Sequence, residues 1–152
     1  MKILIRLVLV AIIIFISIVF YYFSKPPHEI ICVGNLSFIK DQQKMVLSSR
    51  IYLNGNVGSL YLKGEIHESH GIIYTVSRMV DYKSSSEGYQ FDWLSTSVEK
   101  QREENIPDDI SEKWLPGFYT KENNHIRIYL NRINLDSILV SGELMPYYIC
   151  SF

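Results

Sequence analysis

Two hydrophobic patterns divide the chain. From Ile3 to Phe23 the residues are almost continuously apolar, with Arg6 the only charge and Ser17 the only other polar side chain. From Glu29 onward apolar and polar positions alternate, the period of two that places one face of a strand in a core. Ile30, Cys32, Leu36 and Phe38 fall at even spacing and predict a first strand over Glu29–Lys40, with Gly34 marking a bulge or a close backbone approach. After a turn at 41–44, Met45, Leu47, Ser49, Ile51 and Leu53 predict a second strand. Asn54-Gly55-Asn56-Val57-Gly58 supplies residues that accept positive φ and reads as a hairpin. Leu60, Leu62, Gly64 and Ile66 define a third strand, and a turn at Ser69-His70-Gly71 leads into a fourth over 72–83. There Ile72, Tyr74, Val76, Arg78, Val80 and Tyr82 share one face. Beyond Ser84-Ser85-Ser86-Glu87-Gly88, Tyr89, Phe91, Trp93 and Ser95 continue the alternation to about Lys100.

The alternation breaks over 101–117, where charge is dense. Pro107 at a helix start, with Asp108 and Asp109 in the first turn, predicts a short helix ending before Pro116. Ile110, Trp114 and Leu115 form its apolar stripe, a lid for one end of a sheet. Segments 125–132 and 135–150 read as two closing strands, the last interrupted by Pro146, which suits an edge or a bulge. About seven strands with short connections predict an all-β, antiparallel up-and-down meander forming a barrel or half-barrel with one short helix. The competing architecture, a β-sandwich, needs longer crossing connections.

The apolar run from Leu7 to Phe23 is about 17 residues, the short end of what crosses a bilayer core of roughly 30 Å. Arg6 can snorkel to the interface and lengthen the usable span. A cleaved signal peptide is the rival, but such peptides end in a small-x-small site. Here the run ends in Phe20-Tyr21-Tyr22-Phe23, an interfacial aromatic belt. The expected organisation is therefore an uncleaved membrane anchor over 1–24 carrying Arg6, Leu7 and Phe23, a stiff linker over 25–28, and a β-domain over 29–152. Lys2 and Arg6 precede the span and only Lys25 follows closely, so the positive-inside bias keeps the N-terminus cytoplasmic and exports the domain. In a bacterium that is a single-pass inner-membrane protein with a periplasmic domain.

Charge and cysteines refine this picture. Of 15 Lys and Arg, two lie at the anchor, leaving 13 against 16 acidic residues. A domain of net charge 13 − 16 = −3 carries no electrostatic footprint for nucleic acid. The two cysteines, Cys32 and Cys150, would both stand on the oxidising side, where a disulfide is the economical reading. Two separate buried thiols are the alternative.

Catalytic and metal-binding patterns are weak. His67-Glu68-Ser69-His70 has its histidines three apart at a strand end, whereas a zinc-protease pair stands four apart on a helix. Glu103-Glu104 and Asp108-Asp109 read as a solvated acidic loop rather than a cation site. Ser84-Ser85-Ser86 lacks the glycines of a nucleophile elbow. The glycines at 55 and 58 match neither a P-loop nor a dinucleotide fingerprint. With no nucleophile and base to pair, the expectation is a non-enzymatic protein without metal or cofactor. Trp93, Trp114 and Phe118 are the candidate ligand or partner surface.

The layout as a whole resembles a family. The anchor, Ile31-Cys32-Val33-Gly34-Asn35-Leu36-Ser37-Phe38, Ile73-Tyr74-Thr75-Val76-Ser77-Arg78, Pro107-Asp108-Asp109, Leu115-Pro116-Gly117-Phe118-Tyr119 and Tyr148-Ile149-Cys150 together resemble the FidL-like enterobacterial membrane proteins. The resemblance covers nearly the full length and carries no catalytic residues across. It implies an accessory to a membrane-tethered transcription regulator of the ToxR type, in an arrangement like that of ToxR with ToxS. The alternative expectation is a lipocalin-like binder or sensor, with an apolar cavity between sheet and Trp114 helix that accepts a lipid or bile-acid-like amphiphile.

Overall fold

The computed structural model describes residues 2–23, 29–143 and 146–152. The expected linker at 25–28 lies outside the described residues. Helix α1 spans Lys2–Phe23. Its described side chains are Arg6 and residues 10–19, all exposed; those of Leu7 and of the aromatic group ending at Phe23 lie outside the described set. Among the described residues no helix is long and apolar enough to cross a membrane.

The remainder is a closed antiparallel barrel of eight strands in which each strand neighbours the next and the last returns to the first. The strands are β1 (Glu29–Lys40), β2 (Gln43–Asn54), β3 (Val57–His67), β4 (Ile73–Glu87), β5 (Gln90–Lys100), β6 (His125–Arg132), β7 (Ser137–Ser141) and β8 (Pro146–Ser151). Helices α2 (Asp108–Trp114) and α3 (Gly117–Thr120) interrupt the strands between β5 and β6. The single closing strand expected over 135–150 is two strands. The chain reverses after Ser141, and β8 begins at Pro146, a residue suited to a strand's first position.

The turn chemistry sets the register. Asp41 and Gln42, both at positive φ, form the two-residue loop closed by the Lys40 and Gln43 pair. Even-numbered residues of β1 from Ile30 to Gly34 face inward, as do the odd-numbered residues of β2 from Met45 to Leu53. Alternation of strand direction then gives the barrel two ends. The lower end holds the start of β1, the hairpins at 54–57 and 87–90, the loop 133–136 and the C-terminus. The upper end holds the β1–β2 turn, the β3–β4 connection and both short helices.

The two halves of the interior differ. The lower half is filled by aliphatic and aromatic side chains, among them Ile51, Leu53, Leu60, Ile128 and Leu130. Tyr82 stacks on Trp93 at 4.3 Å between ring centroids, and Phe118 of α3 packs against both. Each such fully buried side chain contributes about 1.5–3 kcal/mol. Cys32 and Cys150 are joined in a disulfide at the β1–β8 seam, with their Cα atoms 5.4 Å apart.

The wall between β5 and β6 is made differently. These strands pair only from Gln90 to Leu94, and above that level segment 101–105 folds back along β4. Gln101 N donates to Ser77 O at 2.8 Å, and Thr75 N to Asn105 Oδ1 at 2.7 Å. Arg78, on the inward face of β4, is buried together with Glu104. The guanidinium donates to both carboxylate oxygens and, at 3.0 Å, to the carbonyl of Tyr119. One buried ion pair thus ties β4, the 101–105 segment and α3 together.

Candidate functional site

Above the packed half the barrel is hollow. A cavity of about 820 Å³ opens at the upper end, within the size range of small-molecule sites. An eight-stranded barrel leaves an interior just wide enough for one small ligand when side chains do not fill it. Leu36 and Phe38 of β1, Met45, Leu47 and Ser49 of β2 and Leu62 of β3 form one wall. Ile126 of β6 and Tyr147 and Tyr148 of β8 continue the lining, and Trp114, Leu115, Pro116 and Tyr119 close over from the two short helices.

Pro107 occupies the position before α2, its extended backbone ending the preceding segment. Asp108 and Asp109 then fall in the first turn and Lys113 in the last, each opposite in sign to the helix dipole at its end. Helix α2 presents Trp114 to the cavity, and the following Pro116 starts α3. Trp114 Nε1 donates to Glu68 Oε1 at 2.7 Å, and its ring meets Phe38 edge-on at 6.3 Å. The second oxygen of Glu68 accepts from Gln43 Nε2, which also donates to Ser69 Oγ at 3.2 Å. Both oxygens of this carboxylate are therefore engaged in holding the rim. Lys40 and Lys113 also line the cavity, and neither forms an ion pair among the described residues.

At the floor, Tyr148 OH and Ser49 Oγ share a hydrogen bond of 3.0 Å. Burial pushes the Tyr148 phenol up to about 12, with the Ser49 bond acting in the opposite direction. Burial likewise raises Tyr119 well above the ordinary phenol range. Both rings stay neutral in any physiological medium. The cavity thus combines an apolar, aromatic body, two neutral hydroxyl groups deep inside and two cations at its edge. Such a lining is chemically suited to an amphiphile whose polar or anionic end lies at the rim.

The residues singled out in the sequence separate in space. Trp114 lines the cavity, whereas Trp93 and Phe118 sit in the core beneath it, 1 % and 0 % exposed. Trp93 Nε1 is buried without a partner among the described residues. Glu103 interacts with Lys63, Glu104 with Arg78 and Asp108 with Lys100. His67 Nε2 lies 3.1 Å from Glu65, and His70 adopts φ 66 in a 3-10 turn. Among the described residues no three His, Cys, Asp or Glu side chains converge as metal ligands. Leu36, Phe38, Met45, Tyr119, Tyr147 and Tyr148 are lining residues not picked out from sequence. The period of two marks several of them as inward-facing, but not which inward level is left empty.

Residues 29–150 match the family described as the YqeJ C-terminal domain, and the chain belongs to that family. The match covers the barrel up to Cys150, and the finer FidL-like assignment rests on the sequence resemblance alone. No curated protein matches the chain.

Proposed function

We propose that this member of the YqeJ C-terminal domain family is a membrane-anchored, non-enzymatic binding protein whose barrel takes a small amphipathic ligand. The observation that carries the reading is the apolar, aromatic cavity of about 820 Å³ under Trp114. Lys40 and Lys113 outnumber Glu68 among the charged residues of the lining, which favours a ligand with an anionic end. The apolar run in α1 supports a single inner-membrane span with the N-terminus cytoplasmic and the barrel periplasmic. The test is thermal unfolding of the full chain in nanodiscs with dodecanoate, deoxycholate or their uncharged alcohol analogues. A dose-dependent rise in Tm, larger for the anions, supports the reading; no shift with any of them rejects it.

A second reading, compatible with the first, is an accessory to a ToxR-type regulator, as the FidL-like resemblance implies. One observation favours it. Among the described residues β1 pairs with β8 at Val33 and Gly34 alone, so Asn35–Ser37 present a short strand edge beside the cavity mouth. Such an edge accepts a strand from another chain. Co-purification from membranes with a neighbouring regulator supports this; a regulator equally stable and active in a deletion strain counts against it.

A further inference from the structure

Each connection at the lower end of the barrel carries an exposed large apolar side chain. The β2–β3 turn presents Val57, the β4–β5 turn Tyr89 and the β6–β7 loop Leu135, which are 58 %, 56 % and 81 % exposed. Phe152, 54 % exposed, also lies there, and its backbone N donates to Asp136 O at 3.0 Å, which fixes it beside that loop. Arg132 braces the same loop by donating to the carbonyls of Asn134 and Leu135, both at 3.1 Å, which leaves the Leu135 side chain outward. Together these side chains give one end of the barrel an apolar character, the kind of surface that marks a protein or membrane contact when it is continuous.

Chain connectivity says what that surface is. Helix α1 ends at Phe23 and β1 begins at Glu29 at this same lower end. The five intervening residues make six Cα–Cα steps and reach at most about 22 Å. The upper end lies the length of β1 away, roughly 28 Å along the axis for 11 residue steps of a tilted strand. The upper end also exposes Phe38, Ile39, Ile72 and Ile73, but its 100–124 segment alone holds ten Asp, Glu, Lys and Arg residues. The lower connections at 54–57, 87–90 and 132–137 hold three among 14 residues, Glu87, Arg132 and Asp136, against ten among 25 above, and Glu29 at the start of β1 is a fourth at this end. A charge-poor end with Tyr and aliphatic tips suits the interfacial layer of a bilayer; a densely charged end does not.

We infer that the lower end of the barrel is a lipid-contacting face, with Val57, Tyr89, Leu135 and Phe152 seated in the bilayer interface, so that the cavity opens away from the membrane. This rests on the reading of α1 as a membrane anchor. A ligand then enters from the aqueous side rather than laterally from the bilayer.

The test is photolabelling of the full chain in nanodiscs whose phospholipids carry a diazirine near the headgroup, read by peptide mass spectrometry. Labelling is expected in α1 and in the peptides holding Val57, Tyr89, Leu135 and Phe152, at least about fivefold above peptides 38–43 and 68–73. Tyr89→Asp with Leu135→Asp, both at exposed tips, should lower the lower-end labelling by a similar factor and leave α1 unchanged. Labelled α1 with an unlabelled lower end, or upper-end labelling at equal strength, overturns the lipid-contacting face alone. Unlabelled α1 overturns the anchor as well.

Discussion

Tyr148 lies over Gly34 so closely that a Cβ at Gly34 would stand 2.3 Å from Tyr148 Cδ2 and 2.7 Å from the carbonyl oxygen of Ile149. The missing side chain lets the Tyr148 ring cross the seam and place its hydroxyl on Ser49, forming the cavity floor. Gly34→Ala is therefore expected to push the ring aside and strain the seam, at about 1–3 kcal/mol. Tyr148→Phe removes the hydroxyl alone and should cost about 1 kcal/mol. Urea unfolding of the two variants measures the difference, and the alanine variant should be the weaker.

The Cys32–Cys150 bond closes a stretch of 118 residues across the same seam. The chain-entropy argument gives about 4–5 kcal/mol for a loop of this length. Replacing both cysteines by serine should lower the urea midpoint accordingly. The double variant should then be insensitive to reductant, whereas the native chain should fall to a similar midpoint when reduced.

Arg78 and Glu104 are each 1 % exposed. Glu104→Gln would leave a buried guanidinium without its counter-charge, at about 3–5 kcal/mol. The consequence should reach the site, because Arg78 also holds the Tyr119 carbonyl and through it α3. Hydrogen exchange should report faster exchange in 101–105 and 117–120 than in β2 and β3. Uniform acceleration would mean that the pair does not act locally.

Stability should fall with pH at both the acid and the alkaline extreme. The Lys100 ammonium holds Asp108 below the ordinary carboxylate range, and a backbone hydrogen bond, helped by Ser77 and Lys63, does the same for Glu103. A lowered folded pKa gives stability that is present above the unfolded value, about 4, and lost as pH falls through the folded one. Burial raises Tyr82, Tyr119 and Tyr148. The unfolded phenols ionise first, near pH 10, so stability is full below that and lost as pH rises. Urea midpoints between pH 3 and 12 should show both limbs, and Tyr148→Phe should shallow the alkaline one.

Much of the barrel is legible in the alternation itself. In β2 the inward set from Met45 to Leu53 and the outward set from Lys44 to Asn54 follow directly from a period of two. Residues 135–150 misled because Gly142 and Pro146 signal an interruption without saying whether the strand bulges or reverses. The site was less legible. Trp93 and Trp114 look equivalent in sequence, yet one stacks on Tyr82 in the filled half while the other hydrogen-bonds Glu68 at the rim of the hollow half. That difference depends on strand register and on where α2 lands, neither of which is encoded locally. Arg78 sits on an inward face in the sequence pattern, but its partner Glu104 is 26 positions away in an irregular segment.

The reading of the cavity as a ligand site is tested most directly by titrating the full chain in nanodiscs with deoxycholate by calorimetry, beside a Met45→Trp variant that fills the cavity wall. The native chain should bind at one site per barrel, and the variant should lose that binding while unfolding at a Tm close to native. Equal binding by both, or none by the native chain, would contradict a ligand held under Trp114.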